Sequence, residues 1–395
     1  MAYLDHAAST PMRPEAVEAM APFLSLHAAN PSGGHAGSQA AKNALEEARE
    51  RVAALLGALP SEIVFTGGGS EGDNLAVKGA AWAAFERGET GPGKTGSGRA
   101  DGVVTTGIEH KAVLGAVERL RRQGARVAVV PATVAGTVDL ASLESALDDR
   151  TAVVSVMLVN NETGIVQPLG EVAALVRDRA PRAVLHTDAV QAPQWLDVGA
   201  AAAVADLVAI SGHKFGGPKG VGVLVRRNGV DLVPLVEGGG HEWGLRAGTQ
   251  NVAGIVALAA ALAATHEQRE QEIARITALR DRLEQGLIAA VPDLVVNGDP
   301  HLRVGGLLHV AFPGVEAETL LVALDHDGIE AASGSACSSG AIDPSHVLVA
   351  MGIDALAARA SVRFSLGYAS VAADVDAALA VVPRAVAGLR AATTV

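Results

Sequence analysis

The feature that most constrains this chain is an alternation between short β-branched apolar runs and longer Ala-rich helical stretches. Candidate strands fall at 63–66, 103–106, 126–130, 152–159, 183–187, 206–210 and 220–226. Helical patterns such as 39–56, 74–86 and 170–179 lie between most of them. Strands apolar on both sides, separated by helices, predict an α/β fold: a mostly parallel, seven-stranded sheet between two layers of helices. Aromatic residues are only 3% of the chain, so Ala, Val, Leu and Gly must fill the core.

The pattern changes after residue 250. Residues 252–291 read as one or two long helices, with Ile273, Ile276, Leu279, Leu283 and Leu287 at helical spacing and Pro292 as the stop. Shorter mixed elements follow: a strand at 306–312, a helix near 317–324, a Gly/Ser segment, a strand at 361–365 and a C-terminal helix. These predict a smaller α+β domain, with the boundary near residue 260.

Several function classes are excluded by composition. Apolar residues make up 49% and charged residues 19%, which places the chain outside the disordered class. A net charge of −12 without a basic block argues against direct nucleic-acid binding. The longest apolar stretch, 252–264, is too short to span a bilayer, so no membrane association is expected. The start, Met1-Ala2-Tyr3-Leu4-Asp5-His6, lacks a signal-peptide pattern, and a cytoplasmic location is expected. A single cysteine rules out an internal disulfide and a multi-Cys metal site; no metal is expected. Residues 87–101 contain Gly-Pro-Gly-Lys-Thr, but no strand precedes Gly88, so the segment reads as a surface loop and not a Walker A motif.

Three segments at strand ends carry possible chemistry. Thr66-Gly67-Gly68-Gly69-Ser70-Glu71 lies between a strand and a helix, where glycines and free N–H groups suit a phosphate; a plain turn capped by Ser70 fits equally. Asp188, in His186-Thr187-Asp188-Ala189-Val190-Gln191, sits at the ligand-binding edge of a parallel sheet or caps a helix. Lys214, in Ser211-Gly212-His213-Lys214-Phe215-Gly216, is either a reactive amine or a solvated loop lysine. Together the three supply what pyridoxal 5'-phosphate (PLP) needs: a phosphate cradle, a carboxylate for the ring nitrogen and an amine for the aldehyde. Cys337 lies among small residues, Ser333-Gly334-Ser335-Ala336-Cys337, which suits an exposed reactive thiol better than a structural one.

At this point the chain resembles the cysteine desulfurases of the NifS and IscS type, in the class-V aminotransferase family of fold-type I PLP enzymes. The motifs run nearly end to end. They are Tyr3-Leu4-Asp5-His6-Ala7-Ala8, Glu109-His110-Lys111-Ala112-Val113, Val159-Asn160-Asn161-Glu162, the Asp188, Gln191 and Lys214 segments, Gly238-Gly239-Gly240-His241-Glu242, Arg246-Ala247-Gly248-Thr249, the Cys337 segment and Arg363-Phe364-Ser365-Leu366-Gly367. The resemblance implies that residues 16–260 bind PLP, and that residues 1–15 with 261–395 form the small domain carrying the cysteine loop. It implies Lys214 at the aldehyde, Asp188 at the ring nitrogen, and Gln191 and Asn161 at the phenolic oxygen. His110 should stack on the ring and move protons. Gly69, Ser70, Ser211 and His213 should hold the phosphate, with Thr249 reaching it across a homodimer interface. Arg363 should clamp the carboxylate of the L-cysteine substrate, Asn30 should assist, and Cys337 should take the sulfur as a persulfide for an acceptor protein. An iron–sulfur scaffold, a tRNA-thiolation enzyme and a specialised biosynthetic partner are open as that acceptor. A selenocysteine lyase and a sulfur carrier without catalysis are the alternatives. The sequence departs from the family pattern at Gly69-Ser70, where Ala-Thr or Gly-Thr is usual, and at Ala8-Ser9-Thr10, where a Thr pair is commoner. It is also one residue shorter after Asn30-Pro31 and longer at 87–101.

Overall fold

Alternate side chains of the central strands enter two different apolar clusters, so both faces of the sheet are covered. Val64, Val103, Val153, Leu207 and Leu224 face one cluster, with Leu75, Val77, Val113, Val117 and Leu120 from the covering helices. Phe65, Val104, Val154, Leu185, Ile210 and Val223 face the other, with Val52, Val172, Val176, Ile255 and Leu258. A two-residue side-chain period with both faces buried is what apolar α/β strands require.

The computed structural model describes residues 1–89, 100–334 and 344–393. Its strands, in chain order, begin with β1 (Ala2–Tyr3), β2 (Ile63–Thr66), β3 (Gly102–Thr106), β4 (Arg126–Val130) and β5 (Thr151–Ser155). They continue with β6 (Val184–Asp188), β7 (Leu207–Ser211) and β8 (Gly222–Arg226). The large sheet has seven strands in the order β2-β8-β7-β6-β5-β3-β4. β8 runs antiparallel to both neighbours, and the other pairs are parallel. β4 ends the sheet, and its exposed Arg126 is paired with Asp101 and Asp148, a charged edge that discourages pairing with other chains.

A second, antiparallel sheet follows. Its order is β12 (Ala332–Ser333), β13 (Ser361–Ser365), β10 (Leu307–Ala311) and β9 (Val295–Val296). β1 pairs in parallel with β11 (Ile329–Glu330), and Asp5 forms a parallel bridge to Ser365. These contacts fasten the N-terminal arm to the second sheet and carry residues 7–9 onward to the edge of the first. One helix, Val252–Ala290, spans 39 residues, about 58 Å at the usual rise, and its buried residues join the same core. It is one helix because residues 266–275 are mainly Glu, Gln, Arg and Ala, strong helix formers with no proline or glycine.

Two elements differ from expectation. The helix expected at 74–86 begins at Gly69 and runs to Glu89, with a π segment at Leu75–Gly79. The strand expected at 152–159 stops at Ser155. Residues 156–159 stay buried, and Val156 N and Leu158 N still donate to the His186 and Asp188 carbonyls of β6 as the chain runs on to Asn160 and Asn161. Among the described residues no helix is long and apolar enough to cross a membrane.

Candidate active site

The parallel strands end on one edge of the large sheet, and the segments leaving them surround a cavity of about 670 Å³. This is an ordinary volume for a small-molecule site. Gly67–Ser70 follow β2, His110 follows β3, Met157 and Asn161 follow β5, Asp188 ends β6, Ser211 ends β7, and His213 and Lys214 follow it; all line the cavity. Arg363, from β13 of the second sheet, Gly334 and Ala7–Ser9 of the N-terminal arm complete the wall.

Glycine makes the turn after β2 possible. Gly68 has φ +144°. A Cβ on Gly69 would lie 2.6 Å from Val190, and one on Gly222 would lie 2.8 Å from the Gly68 backbone. The turn therefore lies against β8 at the start of a long helix, where backbone N–H groups are free for an anion. Ser70 is exposed on the first helical turn, and the cap position is Gly68, so Ser70 does not cap the helix. Glu71 accepts from Gly67 N at 2.9 Å and pairs with Arg246 at 2.9 Å, which fixes the turn.

Lys214 enters on a short 3-10 turn, Gly212–Lys214. Its ammonium donates to the carbonyls of Ala7 at 2.6 Å and Ala8 at 2.9 Å, and its own carbonyl accepts from Gln194. Gln191 donates to the same Ala7 oxygen at 2.8 Å. The chain's N-terminal arm thus holds both side chains at the cavity.

Asp188 is buried, and one of its oxygens accepts from Val190 N at 2.9 Å. Burial raises its pKa, against the attraction of His110 and Lys214. His110 caps the helix Lys111–Arg122, its Nδ1 accepting from Ala112 N at 3.1 Å. Burial keeps that imidazole below its usual pKa, opposed by Asp188. Oxygens of Asp73 and Asp188 and a nitrogen of His110 lie within 4.8 Å of one another. His213 stands 3.4 Å from Ser9 Oγ, and burial with Lys214 and Lys219 lowers its pKa to about 4.

Arg363 spreads two arms, Nη1 donating to Asn161 O at 2.8 Å and Nη2 to Asp5 Oδ1 at 2.6 Å. Thr249 and Asn30 are exposed and do not line this cavity. Cys337 lies outside the described residues, as does most of the 87–101 segment.

The structure adds residues that sequence reasoning did not single out. Asp73 and Lys219 line the cavity, and Glu162 and His186 are buried beside it. Asp73 lies four positions after Gly69, so helical spacing alone could have placed it on the face of the glycine turn.

The fold and the site define an α/β protein in which an amine, a carboxylate, an imidazole and a glycine turn at a helix start meet at the strand ends. The aminotransferase class-V model matches residues 2–378. An IscS-like cysteine desulfurase of Mycobacterium tuberculosis is 46% identical, covering 99% of this chain and 97% of that one. Among solved structures, a NifS-like protein superposes with a TM-score of 0.87 at 33% identity over 100% of both chains. Another, SspA in complex with cysteine, gives 0.79 at 34% identity, over 94% of this chain and 100% of that one. The chain belongs to the class-V aminotransferase family and, within it, to the cysteine desulfurases.

Proposed function

We propose that this protein binds PLP and uses it to move sulfur from L-cysteine to Cys337, forming L-alanine. The observation that carries the reading is the convergence of Lys214, Asp188, His110, Gly67–Ser70 and Arg363, from separate segments, on one cavity. The donor set fits the cofactor. The turn made possible by Gly69 and Gly222 suits its phosphate, with Ser70, Ser211 and His213 adding polar atoms. Asp188 suits the protonated ring nitrogen, Gln191 and Asn161 the phenolic oxygen, His110 the ring face and Lys214 the aldehyde. When bound, PLP supplies the electron sink for bond breaking at the substrate's α and β carbons.

The chain's own residues do the rest. Arg363 binds the substrate carboxylate with a two-pronged geometry. Lys214 takes the α proton. The Cys337 thiolate attacks the substrate sulfur: a sulfur–sulfur bond forms, the carbon–sulfur bond breaks, and the carbon gains a proton to leave as alanine. The persulfide is then passed to an acceptor protein, and the homology to IscS-type enzymes favours an acceptor in iron–sulfur assembly or thiolation. The active unit is a homodimer in which Thr249 reaches the partner's phosphate site; its exposure away from this chain's own cavity supports that reading. Residues 16–260 form the large domain, and residues 1–15 with 261–395 the small one.

Purified protein should show the absorbance of bound cofactor, and Lys214→Ala should lose it. Cys337→Ala should retain the absorbance yet release no sulfide from L-cysteine. Undiminished turnover in Cys337→Ala would remove the cysteine from the mechanism.

A further inference from the structure

Beneath Asp188 two buried polar atoms face each other without any other hydrogen-bond partner. They are Asp73 Oδ1 and His186 Nε2, 3.5 Å apart. His186 is completely enclosed, and its other nitrogen, Nδ1, lies 2.9 Å from Ser155 Oγ. With the ring hydrogen on Nδ1 and directed at Ser155, Nε2 is a bare acceptor. It then needs a hydrogen from Asp73.

We infer that Asp73 is a positioning residue that carries a hydrogen, forming a neutral pair with His186 so that Asp188 is left as the single anion at the cofactor's ring nitrogen. The inference rests on the PLP reading above. Its geometric basis is the close grouping of Asp73, Asp188 and His110, with both carboxylates buried. Two carboxylates that close, both enclosed, do not both ionise. The charged and titratable groups facing Asp73 are Asp188, His110, Glu109 and His186; Lys214 is turned to the Ala7 and Ala8 carbonyls. Any arrangement that ionises Asp73, whether beside a charged His186 or a neutral one donating from Nε2–H, would set a second buried negative charge beside Asp188. Burial, then the charges of Asp188 and Glu109, push Asp73 well above the usual carboxylate range, and burial lowers His186 to about 3. Asp188 differs in having a backbone N–H donor and the attraction of His110 and Lys214, so the negative charge settles there.

The test is infrared spectroscopy of the PLP-loaded protein made with carboxyl-13C aspartate, which separates aspartic acid bands from those of Glu109 and Glu162. One isotope-sensitive carboxylic-acid band should be present at neutral pH and lost in Asp73→Asn. Asn can still donate to His186, so that variant should hold PLP within about threefold of the parent. Asp73→Ala should bind roughly tenfold more weakly, because His186 Nε2 loses its donor. If neither variant folds, the unsubstituted protein still decides: cofactor absorbance without an isotope-sensitive acid band overturns the inference. A PLP affinity of Asp73→Asn as poor as that of Asp188→Asn would also overturn it, since Asp73 would then be a second anion at the ring. Absence of cofactor absorbance in the unsubstituted protein would instead overturn the PLP reading itself.

Discussion

Arg363 comes to the cavity with both terminal nitrogens already engaged, one by a backbone oxygen and one by the Asp5 carboxylate. The side chain is therefore aimed before any substrate arrives, and its planar fork is what a carboxylate requires. Arg363→Lys removes the fork and keeps the charge. It should raise KM for L-cysteine by about tenfold or more, with a smaller effect on kcat, in steady-state assays. The residues that carry chemistry were legible in the sequence because each stands in a short motif at a strand end, as Lys214 and Asp188 do. The partners that hold them were not. Ala7 acts through a backbone oxygen, which no side-chain pattern reports, and Asp5 and Arg363 are 358 positions apart. Asp73 and His186 carried no visible signal as a pair because their relation exists only once a helix is laid across the sheet.

At the scale of elements, the segment after β8 is held by a buried ion pair. Arg49, on the helix Ala36–Leu55, places two nitrogens 2.9 Å from the two oxygens of Glu242, which also accepts from Phe65 N at 2.9 Å. Glu242 adopts φ +46° and Trp243 φ +59°, left-handed geometry that this anchor sustains, and the Arg49 guanidinium lies 4.8 Å from the Phe65 ring. Arg49→Ala leaves the Glu242 charge buried alone and should cost about 3–5 kcal/mol in urea unfolding. Glu109, between β3 and its helix, is fully buried and accepts from Thr106 and Met157 N; burial raises its pKa to about 8. The folded protein keeps a proton there that the unfolded chain releases above its ordinary 4.5. That contribution to stability is complete below 4.5 and is lost as pH rises through about 8. The lowered His6, His186 and His309 act in the opposite direction, but only below the ordinary histidine value of 6.5. Stability should therefore fall between about pH 6.5 and 8, and Glu109→Gln should flatten that fall, as read from denaturation midpoints. The seven strands were legible as short, mainly apolar runs; residues 252–291 were legible as helical, but whether they form one helix or two was left open, and the polar middle runs on unbroken because it favours helix. The true start of the Gly69 helix was hidden, since three successive glycines look like a turn until the helix that follows fixes them.

Over the whole molecule, the N-terminal arm, β13 and the strand ends of the large sheet meet at one point, so the site exists only when both sheets are assembled. The α/β class and the order of elements followed from periodicity; the pairing of β1 with β11 did not, because two-residue strands carry no pattern. Sedimentation should give a dimer, and Thr249→Ala should loosen PLP about tenfold without dissociating it, the loss of a charge-assisted phosphate contact. Gly334, which follows β12 and stands three positions before Cys337 in the sequence, lies on the cavity wall. The central claim is that the Lys214 amine and the Cys337 thiol act on one bound substrate molecule. The direct measurement is mass spectrometry of the Cys337 peptide after a single turnover with sulfur-labelled L-cysteine. One labelled sulfur should appear on Cys337 in the unsubstituted protein and none in Lys214→Ala. Equal labelling of both proteins, or labelled sulfide released at full rate by Cys337→Ala, would contradict it.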